Sequence, residues 1–470
     1  MNKLKFIVKD TFIYGGTIAL NSLIMLMTIP LLTNNFSVDE YGLIDLYLTL
    51  ITILVILFVF AQDSSIARFF YEFNSNRRKK KLISESFYFQ NILYLVFLPI
   101  IYFVVLSYFE QVDKKLLLLI LLQVPFFILL NFSQNILKWT FQRSKFIFIS
   151  LGSTLFILIF LQCYITFFSI DIYDVLYIYL ISRLIFSLIG LFFVRKWIIK
   201  IYNFESLKFL IPYGVPILLI SLITLGLPFT ERLFLLKILS EYELGLYSVA
   251  LKVVFFISLP IQAFQMAWGP FLYTHYKDEK NYVLFNFIFM FIALFLLILL
   301  VLVLIFSKEL VYLLSSEEYI ESTKILFTLC LSPIILAIGS ILEAGIDLSK
   351  KSYLKYYGFI SSALIGIFLT YLIIKYFGFY YAGWGVLIGN ICKVLIDYTL
   401  ARKVYNIIWN YHLIFSLNIF IIILQIINIY IYEHKYDLYF NLFILFILFI
   451  FLIRTIYVHY LMKIFNCKVK

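Results

Sequence analysis

Among the ionisable side chains within or at the edges of otherwise apolar stretches, eight are the candidates to do chemistry. Five are cations: Arg183, Lys252 and Lys393 fall inside long apolar runs, Arg68 follows one such run, and Arg232 follows another. Three are carboxylates: Glu343, Asp347 and Asp397. A charge at the centre of a membrane helix costs about 2.5–3.5 kcal/mol on insertion scales, so it faces protein or a water-filled cavity rather than lipid. Cations fixed around such a cavity can replace the hydration shell of an anionic group crossing a low-dielectric interior. Arg183, Lys252 and Lys393 are therefore expected to line a passage, with Arg68 and Arg232 at its mouths. Glu343, Asp347 and Asp397 are expected to take up a coupling proton or Na⁺. The spacing also allows a plainer outcome. Lys393 and Asp397 are four residues apart and can simply pair, and Glu343 and Asp347 share one helix face close to Lys350 and Lys351.

The elements holding these groups must be membrane helices. Of 470 residues, 64% are hydrophobic and 14% charged, more apolar surface than a soluble domain can hide. A spanning helix needs about 20 apolar residues. Fourteen such spans are expected, beginning with Phe12–Leu32 and Leu43–Phe60 and ending with Leu413–Ile431 and Leu438–Leu461. Between them, Leu116–Leu137 is the fourth, Val175–Val194 carries Arg183, and Leu207–Phe229 is the seventh. Leu244–Phe271 carries Lys252, Ile325–Leu348 carries Glu343 and Asp347, and Phe379–Leu400 carries Lys393 and Asp397. Every second gap is basic. Arg77 to Lys81 is the densest run, and the opposite gaps carry Asp39 and Glu40 or Asp171 and Asp174. By the positive-inside rule both termini face the cytoplasm, which places the protein in the cytoplasmic membrane as a multi-pass protein. The net charge of +12 is thus a topology signal and a contact to anionic headgroups, not a nucleic-acid footprint.

A repeat organises the spans. Ser37-Val38-Asp39-Glu40-Tyr41-Gly42-Leu43 precedes span two, and Ser240-Glu241-Tyr242-Glu243-Leu244-Gly245-Leu246 precedes span eight. Upstream, Tyr14-Gly15 matches Tyr213-Gly214. An even number of spans separates the copies, so two six-helix bundles in parallel orientation are expected, at 1–200 and 201–405, with an extra helix pair at 406–470. Alternating access would then come from one bundle rocking against the other.

Several classes are disfavoured. Cys163, Cys330, Cys392 and Cys467 lack metal or disulfide spacing, and His275, His412, His434 and His459 form no metal motif. There is no phosphate-binding loop for ATP, so no cofactor is expected and transport would be ion-coupled. The outer gaps are short, which argues against a membrane polymerase or glycosyltransferase and hence against an enzyme.

The order of motifs resembles the oligosaccharide repeat-unit flippases of the multidrug/oligosaccharidyl-lipid/polysaccharide exporter superfamily. The resemblance rests on Ile29-Pro30-Leu31-Leu32, Asp39-Glu40-Tyr41-Gly42 and the Ser64-to-Glu72 string. It continues through Tyr213-Gly214-Val215-Pro216, the Glu243-to-Lys252 string, Gly345 to Lys351, and Gly383, Gly385 and Gly389. It implies movement of an isoprenoid-pyrophosphate-linked oligosaccharide to the outer leaflet for surface polysaccharide such as O-antigen. The implied partners are that lipid, H⁺ or Na⁺, membrane lipids, and polymerase and glycosyltransferases of the same pathway. A multidrug exporter of the superfamily would prefer acidic or apolar cavity residues. A cell-wall-precursor flippase would need arginines in spans one and two, yet no charge lies between Thr11 and Asn35.

Overall fold

A computed structural model describes residues 2–108, 113–276, 281–349 and 351–407, together with Trp409 and isolated positions 423, 447, 450, 454 and 457. The expected spans Leu413–Ile431 and Leu438–Leu461 lie outside the described residues. Among those described there is no strand, and 12 helices are long and apolar enough to cross a membrane. The chain divides into two compact units, 1–229 and 230–470.

The first unit contains α1 (Asn2–Thr33), α2 (Val38–Val59), α3 (Gln62–Phe70), α4 (Asn76–Tyr108), α5 (Lys114–Trp139), α6 (Arg143–Phe167) and α7 (Ile172–Val194), with α8 (Leu207–Ile238) running across the division. Its packing is uneven. Helix α5 has 61% of its apolar window buried and α4 only 6%, so α5 is central and α4 presents Leu95 and Phe103 outward, as a lipid-facing helix does. The segment joining α7 to α8 is held to the start of α4. The Ile199 N–H donates to Ser84 Oγ at 2.8 Å, the Ser206 N–H donates to Glu85 Oε2 at 2.5 Å, and Lys81 Nζ pairs with Glu205 Oε2 at 2.6 Å.

The second unit contains α9 (Glu241–His275), α10 (Asn281–Ile305), α11 (Ser307–Leu314), α12 (Leu326–Leu342), α13 (Ala344–Leu348), α14 (Lys355–Phe377) and α15 (Trp384–Val404). Helices α14 and α15 approach closely because Gly385 and Gly389 leave room: a Cβ on Gly385 would sit 2.3 Å from the Thr370 backbone nitrogen, and one on Gly389 would sit 2.7 Å from the Ser362 carbonyl.

The repeated S-x-x-E strings have a shared local cause. Ser37 caps α2: its Oγ accepts from the Glu40 N–H at 3.3 Å while Glu40 Oε2 accepts from the Ser37 N–H at 3.0 Å, a reciprocal capping box. Ser240 caps α9, accepting from the Tyr242 N–H at 3.2 Å and donating its hydroxyl proton to Glu243. Asp171 and Asp174 form a second capping box at α7, and Asp113 caps α5. The acidic gaps therefore satisfy orphan N–H groups and complement the positive ends of helices.

Candidate functional site

The first unit encloses a cavity of about 590 Å³. Helix α5 builds its polar wall. Asn131, Gln134, Asn135 and Lys138 follow an i, i+3, i+4, i+7 pattern and line the cavity as one stripe, while Ser133, Ile136 and Leu137 between them are buried in packing. Among the described residues these four make no side-chain hydrogen bond or ion pair, so their polar atoms are open to the cavity. Other walls are quieter. On α1, Asn21 Nδ2 donates to Ser150 Oγ at 2.5 Å, and Asn21 Oδ1 accepts from Thr154 Oγ1 at 2.9 Å. On α4, Gln90 Nε2 donates to Ser86 Oγ at 3.2 Å. Ser221 and Thr224 of α8 complete the polar lining.

A backbone break supplies the cavity's one carboxylate. Phe60 (φ 53) and Ala61 (φ 50) both adopt the left-handed conformation, ending α2 and restarting the chain as α3. Neither is glycine, and such residues cost of order 1–3 kcal/mol each, a cost borne where the surroundings fix them. The break is braced by α8: Ser65 Oγ donates to the Leu210 carbonyl at 3.1 Å, and a Cβ on Gly214 would meet Ser65 Oγ at 2.9 Å. It turns Asp63 and Ser64 toward the cavity. Asp63 lies in the first turn of α3 and Lys138 in the last turn of α5, each favoured there by its helix dipole. Their charges cancel, leaving an amide-rich, neutral chamber.

The residues picked out by sequence lie elsewhere. Arg183 is buried in α7, but it faces Gln123, whose Oε1 accepts from its Nη1 at 2.5 Å. The guanidinium stacks over the rings of Phe127 at 4.3 Å and Tyr179 at 5.4 Å. Arg68 is exposed and paired with Glu72. Arg232 is buried with its guanidinium 5.7 Å from the Tyr247 ring, beside Glu231, which accepts from the Tyr247 hydroxyl. Lys252 is half-buried in α9. None of these lines the cavity.

The second unit gathers the other four into one network. Lys393 Nζ pairs with Asp397 Oδ2 at 2.7 Å and with Glu343 Oε2 at 3.1 Å. Lys355 Nζ reaches Glu343 Oε1 and Asp347 Oδ1, both at 2.8 Å. Three carboxylates face two ammonium groups, and Asp397 Oδ1 is buried with no hydrogen-bond partner among the described residues. Lys138 lies just past the expected span Leu116–Leu137, and neither it nor Lys355, Asp63 or the α5 amides stands out in the sequence as a deep polar group. The Asn131-x-x-Gln134-Asn135-x-x-Lys138 periodicity was the available signal for the cavity.

The chain is similar to known proteins. The family described as "Polysaccharide biosynthesis protein" matches residues 7–275. An Lsg locus protein of Haemophilus influenzae is 24% identical over 424 residues, covering 84% of this chain and 98% of that protein. Among solved structures, the lipid II flippase MurJ in its inward closed conformation aligns with a TM-score of 0.69 at 18% identity, over 96% of this chain and 99% of its own. An inward-facing multidrug resistance MATE family transporter of the MOP superfamily aligns with a TM-score of 0.61 at 14% identity, over 82% of this chain and 94% of its own. The structural likenesses establish a shared fold.

Proposed function

Because the chain belongs to the polysaccharide biosynthesis protein family, we propose that it flips an isoprenoid-pyrophosphate-linked oligosaccharide, a repeat unit of O-antigen or capsule type, across the cytoplasmic membrane. The chain is a multi-span membrane protein with the fold of MOP-superfamily transporters. The observation carrying the proposal is the open polar cavity inside an otherwise apolar helical unit: unbonded amides at that depth have no packing use and suit a polyhydroxylated head group. In this reading both termini are cytoplasmic, the bundles 1–200 and 201–405 alternate access, and Arg232 and Lys252 meet the phosphates. Arg68 serves a mouth of the path, and Arg183 and Lys393 hold their units in shape.

Coupling to H⁺ or Na⁺ through Glu343, Asp347 and Asp397 is the second half of the proposal. Its support is the excess of one carboxylate over the ammonium groups in the network, which one bound cation would neutralise. The test is reconstitution in vesicles containing a polyprenyl-diphosphate oligosaccharide, with a membrane-impermeant glycosidase reporting which leaflet the glycan faces. Protein-dependent transfer that quickens under an imposed pH or Na⁺ gradient is expected. Transfer indifferent to both gradients removes the coupling, and no protein-dependent transfer removes the function.

A lipid-linked cell-wall precursor is the second reading. The fold likeness to MurJ favours it, and the absence of charge between Thr11 and Asn35 in the first span weighs against it.

A further inference from the structure

We infer that the cavity of the first unit selects glycans whose sugars carry no net charge. The inference rests on the flippase reading and narrows its substrate class.

Charge balance is the first ground. The cavity's ionisable lining is Lys138 and Asp63, one of each sign, and the ammonium feels the carboxylate. An acidic sugar brought into such a space would lose hydration and meet a single ammonium whose charge the Asp63 carboxylate already offsets, so the cavity offers it no net counter-charge. The second ground is the character of the polar wall. Asn131, Gln134 and Asn135 each offer donors and an acceptor, and among the described residues their side chains have no partner. Amides that both donate and accept match hydroxyl and acetamido groups, which also do both. A carboxylate only accepts and would leave the amide oxygens unmet. The third ground is what the wall lacks. The buried guanidinium of this unit, Arg183, is turned to Gln123 and two aromatic rings and does not line the space. The volume of about 590 Å³ lies within the ~300–1,000 Å³ typical of small-molecule sites.

The experiment uses the full chain in proteoliposomes with two synthetic probes. Both are polyprenyl diphosphates carrying the same disaccharide. In one it contains N-acetylglucosamine and is neutral, and in the other a single primary alcohol is replaced by a carboxylate. The pyrophosphate is common to both, so the comparison isolates the glycan charge. The neutral probe should cross about tenfold faster, equivalent to ~1.4 kcal/mol in the rate-determining binding. Asp63→Asn, which leaves the cavity with a net positive charge, should narrow that ratio, and Gln134→Glu should widen it. Equal rates, or faster transfer of the acidic probe by the unsubstituted protein, overturn the selectivity and leave the flippase reading standing. Transfer of neither probe by correctly inserted protein overturns both.

Discussion

Lys393 in the second unit and Arg183 in the first are long cations buried among helices, and their charges are disposed of in opposite ways. In the second unit Lys393, with its side chain 5% exposed, is held between the carboxylates of Asp397 and Glu343. In the first, Arg183 finds one amide oxygen and two ring faces, and among the described residues no carboxylate pairs with it. The residue types explain the difference. A lysine ammonium is compact and strongly hydrated, so burial demands a counter-charge. A guanidinium is delocalised and weakly hydrated, and it stacks on aromatic faces. The lesson is that the first unit keeps a deep cation without pairing it to a carboxylate, and the carboxylate of its neighbouring cavity, Asp63, is left to offset Lys138. The second unit gathers Lys393 and Lys355 with three carboxylates in one network.

The contrast is tested most severely at Lys393. Lys393→Met would leave Asp397 facing no cation and remove one of the two from Glu343. Stranding a buried charge costs about 3–5 kcal/mol, so the denaturant midpoint of the purified protein should fall steeply. Removing the stranded partner as well, in Lys393→Met with Asp397→Asn, should recover more than half of the loss. A Lys393→Met protein with an unchanged midpoint would show that the network is not what holds α12, α13 and α15 together.

Arg183 should respond more mildly. Arg183→Met leaves only the Gln123 amide oxygen without a partner, and an unsatisfied buried neutral group costs about 1–3 kcal/mol. The pair Arg183→Met with Gln123→Leu replaces both partners by apolar groups and should bring stability back close to the starting value. The same denaturation measurement decides it. If Arg183→Met loses as much as Lys393→Met, Arg183 has a charged partner and the distinction between the units fails.

How much of this was legible depends on what each feature answers to. The spans answer to length and hydropathy. Leu43–Phe60 became Val38–Val59 and Val175–Val194 became Ile172–Val194, each shifted by capping residues that are polar and so fell outside an apolar window. The caps themselves were visible as S-x-x-E strings. The break at Phe60 and Ala61 was not, because left-handed backbone is usually flagged by glycine and here is imposed by packing against α8. Lys138 falls just past the expected span Leu116–Leu137 because hydropathy ends before helix α5 does. Arg183 and Lys393 were recognisable as deep charges from position alone. That one would meet an amide and the other two carboxylates is a fact of helix neighbours, which no spacing along a single helix encodes.

The smallest expected effect lies at the edge of the first unit, where charges are paired in the open. Lys81 Nζ lies 2.6 Å from Glu205 Oε2, with the two side chains 33% and 63% exposed. The hydrogen bond from Lys81, with its charge, holds the Glu205 carboxyl below the usual glutamate range. A depressed value means that the anchoring is fully present above the ordinary glutamate pKa, about 4.3. It is lost only as the pH falls through the lower, folded value. At neutral pH the pair is therefore intact, and an exposed pair of this kind contributes little to global stability. Glu205→Gln should loosen the segment from Ile199 to Ser206, read as faster amide hydrogen exchange there at pH 7, with α5 and α12 unaffected. The Ser206 N–H remains bonded to buried Glu85, so the loosening should be partial. A global fall in the denaturant midpoint matching that of Arg183→Met would mean that peripheral charge matters as much as deep charge. In that case the ranking drawn here, from carboxylate-locked lysine through ring-stacked arginine to surface pair, would have to be abandoned.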